Sequence, residues 1–347
     1  MDRVRIGVVG AGAIGRMHVA TIAASDCALA CAVADPAPEA EGFARELGIP
    51  YFADHRTMMD VAAPDAVIVA APNDLHVPIA LDAIARKLPV LVEKPIASTL
   101  EDGETLVRAS TDKGAPVLVG HHRRHNPVIA EARRLVRGGA IGAPTLATIL
   151  SGFYKPAEYF DLQWRRRIGA GPVLINLIHE IDLVRFICGE IAEVQAMSSN
   201  ARRGYEVEDT AGVLLRLHNG ALVTISLSDT VAAPWSWDLS SGELPSYPPQ
   251  THGGQSHFFC GVDGSLTLPS LEHWSYKGKK SWHSPIARDL ISVERASPYL
   301  RQLRHLCAVM RGEEQPIVDA TDGLRTLRAT LAVHEAARSG RPVRIQD

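Results

Sequence analysis

The sequence predicts an α/β protein that begins with a doubly wound parallel sheet and continues into an α+β domain with an antiparallel sheet. Short apolar runs alternate with helical periodicity up to about residue 120, and this alternation is typical of parallel strands joined by helices. Beyond residue 140 the apolar runs are longer or are joined as hairpins. A length of 347 residues is enough for about two domains of ~150 residues each.

The first predicted domain, residues 1–122, contains strands separated by helices. Its apolar runs show no polar face, as expected when helices cover both sides of a sheet. The predicted strands are 5–10, 28–35, 66–71, 89–93 and 116–120. The helical stretches between them include 39–47, 76–86 and 100–113.

The second predicted domain, residues 123–347, combines a sheet with helices. Asn219-Gly220 and Asp263-Gly264 are dipeptides typical of primed turns between antiparallel strands. The predicted strands are 145–153, 192–200, 210–218, 221–228, 258–262 and 265–268. A helix is predicted over 173–188, and two C-terminal helices around 299–311 and 323–339 are predicted to pack back toward the first domain.

Composition narrows the class of protein. The net charge of −3 gives no electrostatic reason to expect nucleic acid or a membrane as a partner, and no apolar run approaches the ~20 residues needed to span a bilayer. The five cysteines are scattered without a metal-ligand spacing, so we expect reduced, mostly buried thiols. Because the chain enters its first predicted strand within a few residues, we expect no signal peptide and a cytoplasmic location.

A glycine-rich motif follows the first predicted strand. Gly10 allows a tight turn, Gly12 lets the backbone approach a pyrophosphate, and Gly15 lets the helix lie close to the strand. Asp35 ends the second predicted strand, where a carboxylate can accept both ribose hydroxyls of NAD. The combination predicts a Rossmann dinucleotide-binding domain. Because Asp35 would repel a 2′-phosphate, NAD is expected to bind in preference to NADP.

Two loops follow the third and fourth predicted strands, at the edge where a doubly wound sheet binds its ligands. They comprise residues 70–76 and residues 93–95. A loop lysine taken alone is more often a solvated surface residue. Lys94, however, lies between an acid and a proline beside the predicted nucleotide site, which favours a functional role.

Further short motifs occur along the chain. With the preceding ones they are Gly10-x-Gly12-x-x-Gly15 with Asp35, 71–76, Glu93-Lys94-Pro95, 120–127, Trp164-Arg165, 169–182 and the tail 322–343. Together these motifs resemble the glucose-fructose oxidoreductase / inositol dehydrogenase / MocA (Gfo/Idh/MocA) family over nearly the whole chain. The resemblance implies an N-terminal Rossmann domain and a C-terminal α+β domain with a large open antiparallel sheet.

The resemblance implies three catalytic residues. In the family, the lysine of the Glu-Lys-Pro motif contacts the nicotinamide ribose and the reacting hydroxyl, and a later helix supplies a histidine base with a nearby carboxylate or amide. Lys94, His179 and Asn176 take these positions. Asn176 and His179 are three residues apart, which would place them on one face of an α-helix. Ile175 stands four residues before the histidine, where the family usually has Asp or Asn.

Binding residues are predicted from the same motifs. The cofactor-binding set is Gly10, Gly12, Ala13, Ile14, Gly15, Asp35, Ala71, Pro72, Asn73, His76, Glu93 and Lys94. The substrate-binding set is Arg124, Tyr154, Trp164, Arg165, Asn176, His179 and Trp235, with Lys155, Asp161 and Trp237 as further candidates. Aromatic faces can stack on sugar rings, but the tryptophans of the 231–257 loop could equally close a subunit contact. No carboxylate or cysteine completes a ligand set for His121, His122 and His125, so no metal is predicted.

The sequence therefore predicts an NAD-dependent oxidoreductase that transfers a hydride between nicotinamide and a secondary hydroxyl of a small sugar, polyol or inositol-like substrate. Three alternatives remain open: a dehydrogenase of a non-sugar cyclic diol, redox-silent NAD-dependent glycoside cleavage, and a non-catalytic NAD-binding sensor. The presence of Lys94 and His179 argues against the sensor. The resemblance also implies a homodimer or homotetramer formed through the open sheet face.

Overall fold

The computed structural model describes residues 3–244, 247 and 254–346. The chain divides into two compact units. The first consists of Met1–His125 and Ala296–Leu327, and the second consists of Asn126–Arg295 and Arg328–Asp347. The N-terminal segment of the first unit ends at His125, close to the predicted boundary at residue 122. A second segment near the C-terminus, Ala296–Leu327, belongs to the same unit.

Within the described residues, the first unit is built on a six-stranded parallel sheet in the order β3-β2-β1-β4-β5-β6. Its strands are β1 (Val4–Val9), β2 (Ala28–Ala34), β3 (Tyr51–Phe52), β4 (Ala66–Val69), β5 (Val90–Val92) and β6 (Val117–Val119). The order reverses between β1 and β4, which is the switch point where doubly wound sheets bind their ligands.

Helices connect these strands. They are α1 (Ala13–Ala23), α2 (Pro38–Glu46), α3 (His55–Ala62), α4 (His76–Ala85) and α5 (Leu100–Lys113). A further helix near the C-terminus, α9 (Pro298–Met310), contributes apolar residues to the core of the same unit. Asp54 caps α3 by accepting from the Thr57 N–H, and Thr99 caps α5 by accepting from the Asp102 N–H. The strand β3 was not predicted, since a two-residue strand leaves no periodic signal, and the helix α3 was not predicted either.

Within the described residues, the second unit is built on a nine-stranded sheet in the order β14-β13-β12-β11-β7-β10-β9-β8-β15. Its strands are β7 (Pro144–Gly152), β8 (Ile191–Ser199), β9 (Thr210–Leu217), β10 (Leu222–Ser228), β11 (His257–Gly261), β12 (Gly264–Leu268), β13 (Glu272–Ser275), β14 (Ala287–Leu290) and β15 (Val343–Arg344). Neighbouring strands are antiparallel except β7 and β10, which are parallel. The predicted fold class is confirmed.

One face of this second sheet is buried and the other is open. In β9 alternate side chains are buried, namely Ala211, Val213, Leu215 and Leu217. They form a core with apolar residues of α6 (Pro127–Arg137), α7 (Ile178–Cys188) and α10 (Ala320–Ser339). On the other face Leu146, Leu214 and Leu222 are 48%, 40% and 40% exposed. Helix α6 and strands β13 to β15 were not predicted, and the strands among them are short and carry polar or exposed residues.

Both predicted hairpins form, but their turns differ from the prediction. The Gly220 N–H donates to the Leu217 carbonyl and Gly220 has a φ of +88°, whereas Asn219 is not at positive φ. This is the geometry of a type I turn followed by a glycine bulge, not of a type I′ turn. At the second hairpin neither Asp263 nor Gly264 has a positive φ. The alternation of apolar and polar residues along the strands does not depend on the type of turn. This alternation is therefore what predicts that the strands pair as hairpins.

The structure also shows the state of the cysteines and the character of the helices. All five cysteines are free thiols, and Cys31, Cys188 and Cys307 are buried. No helix in the described part of the chain is long and apolar enough to cross a membrane.

Candidate active site

The glycines of the N-terminal motif differ in what the fold requires of them. Gly10 has a φ of +100°, and a Cβ there would lie 2.4 Å from the Ala70 carbonyl oxygen. A Cβ on Gly15 would lie 1.9 Å from the Gly10 carbonyl oxygen, because α1 lies directly against the turn. A Cβ on Gly12 would meet no atom within 4 Å. The packing of the chain therefore explains why residues 10 and 15 are glycines. At Gly12 the packing requires no glycine, and the missing side chain leaves room for a ligand against the backbone.

The N-terminus of α1 suits an anion. Gly12 is its N-cap residue and offers no capping side chain, and the first turn carries no acid. The first N–H groups of a helix have no acceptor within the helix, and the helix dipole favours negative charge there. Ala13 and Ile14 are exposed at this end. These residues fit the pyrophosphate of a dinucleotide.

Asp35 lies just beyond the end of β2, and its carboxylate is held by the backbone. Its Oδ2 accepts from the Ala11 N–H at 2.6 Å, and its Oδ1 accepts from the Ala37 N–H at 2.8 Å. A carboxylate oxygen can accept two hydrogen bonds, so each oxygen can accept one more from a ribose hydroxyl. The bond to Ala11 fixes the acid beside the glycine-rich turn.

His76 joins the two loops that follow β4 and β5. It is buried at the start of α4, with Nδ1 2.8 Å from the Pro95 carbonyl oxygen and Nε2 2.8 Å from the Ala71 carbonyl oxygen. Burial lowers its pKa, although both hydrogen bonds oppose this shift. A neutral imidazole carries one N–H, so His76 donates to one of these carbonyls at a time. The predicted cofactor residues Ala71, Pro72 and Asn73 are held in place by this contact and by the short 3₁₀ turn Asn73–Leu75.

Glu93 is a buried carboxylate directly before Lys94. Its Oε1 lies 2.8 Å from His18 Nε2, and its Oε2 accepts from the Lys94 N–H at 3.2 Å. Burial would raise the pKa of Glu93, but the hydrogen bond and charge of His18, with the charges of His122 and Lys94, hold it to about 2. A Cβ on Gly120, the residue after β6, would lie 2.8 Å from the Glu93 carboxylate, so the glycine leaves space for this acid. Glu93 therefore holds a fixed negative charge next to the half-buried Lys94.

The segment after β6 is basic and buried. His122 stacks on Tyr299 with ring centroids 4.3 Å apart. The predicted substrate residue Arg124 is 4% exposed and forms an ion pair with Asp322. Burial, with nearby positive groups, lowers the pKa of His125 to about 3. Among the residues that the structure describes, no group of three or more His, Cys, Asp and Glu side chains could hold a metal ion.

The helix that carries Asn176 and His179 differs from the prediction. Val173–Leu177 is a π-helix, and α7 begins only at Ile178. Glu208 anchors the start of the π-helix by accepting from the Val173 N–H at 2.8 Å. A π-helix closes its turns with i→i+5 hydrogen bonds, so the three-residue spacing argued for an α-helix does not apply to Asn176. Asn176 is half-buried, and His179 is 7% exposed in the first turn of α7.

Lys155 contacts Asn176. Its Nζ donates to Asn176 Oδ1 at 2.8 Å and lies 3.3 Å from Asp229 Oδ2. Arg203 Nε donates to Asp229 Oδ1 at 3.2 Å. From the sequence, Lys155 is predicted only as a pocket candidate, and Asp229 and Arg203 are not predicted at all. The one sequence signal that could have indicated Asp229 is its position directly after the last residue of β10.

The remaining predicted substrate residues have varied environments. Tyr154, Trp164 and Trp235 are 63%, 52% and 50% exposed. The Arg165 guanidinium lies over the Tyr159 ring at 4.0 Å, and Asp161 is exposed. The suggestion that Trp237 contacts a ligand or a subunit is wrong, because Trp237 is fully buried at the start of the short helix α8 (Trp237–Ser240) and donates to Glu243 Oε2 at 3.0 Å. Part of the 231–257 loop, residues 245, 246 and 248–253, lies outside the described residues.

A buried histidine–carboxylate pair also lies in the core of the second unit. His257 Nε2 is 2.7 Å from Glu180 Oε2, and the Ser256 hydroxyl is 2.9 Å from His257 Nδ1. Ser256 and His257 are 0% exposed and Glu180 is 2% exposed. The group resembles a Ser-His-acid arrangement in its order of contacts, but its burial gives a substrate no access. We assign it to the stability of the core.

Comparison with known proteins covers both units. Residues 4–121 match the family model of the oxidoreductase family with an NAD-binding Rossmann fold. Residues 129–243 match the model of the Gfo/Idh/MocA C-terminal domain.

Curated relatives align over most of their length. The chain is 26% identical over 362 residues to a scyllo-inositol 2-dehydrogenase (NAD(+)) of Bacillus subtilis, covering 99% of this chain and 96% of the relative. It is 33% identical over 278 residues to an inositol 2-dehydrogenase of Acidothermus cellulolyticus, covering 78% and 79%. Among solved structures, the WlbA dehydrogenase of Bordetella pertussis in complex with NADH and UDP-GlcNAcA superimposes with a TM-score of 0.81 at 23% identity, covering 99% of each chain. The chain therefore belongs to the Gfo/Idh/MocA family of oxidoreductases and contains the NAD-binding Rossmann domain of that family.

Proposed function

We propose that this protein is an NAD-dependent dehydrogenase that acts on a secondary hydroxyl of a sugar, polyol or inositol-like substrate. The observation that carries the proposal is the NAD-binding unit with Lys94 at the carboxyl end of β5, where the ligands of a doubly wound sheet bind. The inositol 2-dehydrogenases among its relatives support the substrate class.

The chain supplies binding, orientation and proton transfer. The α1 N-terminus and Gly12 hold the pyrophosphate, and Asp35 holds the ribose hydroxyls. NAD, when bound, provides the acceptor for the hydride. The Lys94 ammonium donates a hydrogen bond to the reacting oxygen and stabilises negative charge that develops on it.

In the second unit, His179 accepts the hydroxyl proton as a neutral imidazole. A histidine suits this role because its unperturbed pKa of about 6.5 lies near neutral pH. Asn176 contributes a hydrogen bond to the substrate. The remaining substrate contacts come from Arg124 and from four residues of the second unit, Tyr154, Trp164, Arg165 and Trp235.

We further propose a cytoplasmic homo-oligomer, a dimer or tetramer, that forms through the open face of the second sheet. The apolar side chains of Leu146, Leu214 and Leu222 on that face support this assembly.

A substrate screen tests the activity. The protein is mixed with NAD and a panel of inositols, aldoses and linear polyols, and NADH formation is followed by absorbance. We expect NADH with at least one panel member, and loss of most of that signal in Lys94→Ala and His179→Ala. The exposed residues Lys113 and His218 provide matched controls as Lys113→Ala and His218→Ala. Product without NADH would favour the redox-silent reaction, and NAD binding without any product would favour the sensor.

A further inference from the structure

We propose that Lys155 is a positioning residue, which fixes the amide group of Asn176 so that its NH₂ is presented to the substrate as a hydrogen-bond donor. The inference rests on the proposed function and specifies the chemistry of the same substrate site. The contact between Lys155 Nζ and one end of the Asn176 amide, at 2.8 Å, is its starting point.

The partner determines which way the amide faces. The oxygen and nitrogen of an asparagine side chain have nearly the same shape, so their assignment depends on their hydrogen bonds. A lysine ammonium has three donors and no acceptor. The atom of Asn176 that faces Lys155 is therefore the oxygen, and the NH₂ group is on the opposite side of the side chain.

Lys155 is itself held in place at both its side chain and its backbone. Its Nζ lies 3.3 Å from Asp229 Oδ2. Arg203 Nη2 donates to the Lys155 carbonyl at 2.9 Å and to the Asp229 carbonyl at 2.6 Å. Lys155 is 8% exposed and Asp229 is 1% exposed. A buried ammonium with these contacts has little freedom to leave Asn176.

The surroundings keep a positive charge at this position. Burial lowers the pKa of Lys155, and the Asp229 carboxylate opposes that shift. The Nζ also lies 4.9 Å from the centre of the Tyr159 ring and 5.6 Å from that of Phe153, where aromatic faces attract cations. Lys155 and Arg203 share the single carboxylate of Asp229. The second acceptor near Lys155 Nζ is the Asn176 oxygen.

A fixed donor has a chemical consequence for the substrate. The Asn176 NH₂ binds an oxygen lone pair, so it recognises a hydroxyl or carbonyl oxygen of the substrate as acceptor. A carboxylate at this position would accept hydrogen bonds from the substrate instead, and would form an ion pair with Lys155. Asn176 thus orients the substrate, and proton acceptance is left to His179.

A double-mutant cycle tests whether Lys155 acts through Asn176. We compare kcat/KM for the wild type, Lys155→Met, Asn176→Ala and the double variant on the substrate found in the screen. Loss of a hydrogen bond to a charged group corresponds to a decrease of about 10- to 100-fold in kcat/KM for Lys155→Met. In the Asn176→Ala background the same change should cost about threefold or less. Equal losses in the two backgrounds would overturn the proposal, because Lys155 would then act independently of Asn176.

Controls separate positioning from folding. Lys279→Met removes an exposed lysine of the same unit and should leave kcat/KM unchanged. NAD binding, which uses the first unit, should be unchanged in all variants. Lys155→Arg keeps a cation beside Asp229 and should retain more activity than Lys155→Met. If Lys155→Met does not fold, the cycle is repeated with Lys155→Gln, which removes the charge but keeps a polar group beside Asp229, and equal losses in the two backgrounds would again overturn the proposal.

A spectroscopic test does not depend on turnover. The chain has five asparagines, Asn73, Asn126, Asn176, Asn200 and Asn219, so ¹⁵N-asparagine labelling gives a simple spectrum of side-chain amides. Asn176→Asp identifies the Asn176 pair of signals by their loss. Lys155→Met should shift the Asn176 signals and leave those of Asn200, whose NH₂ donates to the Tyr205 carbonyl at 2.6 Å, in place. An unmoved Asn176 signal would overturn the proposal, whereas absence of NADH in the screen with a moved signal would reject only the proposed function.

Discussion

The buried Glu93 carboxylate should make the first unit sensitive to acid. Its pKa is lowered from 4.5 to about 2. At about 1.4 kcal/mol for each pH unit, this difference corresponds to about 3 kcal/mol of unfolding free energy. Because the folded-state pKa lies below the unfolded value, the contribution is present above pH 4.5 and is lost as the pH falls toward 2.

The perturbation is Glu93→Gln, which removes the charge but keeps a side chain of similar shape beside His18. At neutral pH it should lower the unfolding free energy of the first unit by up to about 3 kcal/mol. Below pH 4.5 the difference between the wild type and the variant should shrink, because the Glu93 carboxylate of the unfolded wild type takes up a proton while that of the folded protein stays charged down to about pH 2. Glu46→Gln is the matched control, since Glu46 is exposed in the same unit.

Urea unfolding at a series of pH values measures this difference. All five tryptophans, Trp164, Trp235, Trp237, Trp274 and Trp282, belong to the second unit, so tryptophan fluorescence reports that unit alone. Circular dichroism reports both units, and a transition seen only by circular dichroism belongs to the first. If the wild type and Glu93→Gln lose stability in parallel as the pH falls, the reasoning about the His18–Glu93 pair is refuted.

Three further predictions concern the cofactor and the site lysine. Lys94→Ala should still bind NAD, because backbone N–H groups hold the phosphates, yet kcat should fall by a factor on the order of 10²; a kcat near that of the wild type would remove Lys94 from the site. The wild type should prefer NAD over NADP by about tenfold or more in kcat/KM, and Asp35→Ala should reduce the ratio; equal values for the two cofactors in the wild type would contradict the role of Asp35. Gly15→Ala should lower thermal stability, since its Cβ would lie 1.9 Å from a carbonyl oxygen, whereas Gly12→Ala should weaken NAD binding with little change in stability; the reverse pattern would mean that the two glycines have been assigned the wrong roles.

The first unit could be predicted well because its signals are local. The glycine spacing, the apolar strands and the acid after β2 are contiguous sequence patterns, and the structure places Gly10, Gly15 and Asp35 as the motif requires. The strand β3 escaped prediction because two residues carry no period. The roles of the candidate site residues stay predictions.

The second unit was harder to predict because its key contacts join distant parts of the chain. Lys155 and Asp229 come together through the parallel pairing of β7 with β10 and through the hydrogen bond from the Lys155 N–H to the Asp229 carbonyl just beyond it, and no local pattern reveals either. The π-helix at Val173–Leu177 has the same apolar composition as an α-helix, so its different spacing is invisible in the sequence. Trp237 looked like a loop aromatic, but Glu243 provides the acceptor that allows its indole to be buried.

The central claim is that a hydride moves from a carbon of the substrate to NAD, and isotope transfer tests it most directly. A polyol or sugar identified in the screen is prepared with deuterium on the carbon that bears the reacting hydroxyl. It is then oxidised with NAD, and the reduced cofactor is analysed by mass spectrometry. The account predicts that the deuterium is found in the reduced cofactor, in amounts equal to the oxidised product. Product formation with the deuterium retained in the product, and no labelled cofactor, would contradict it.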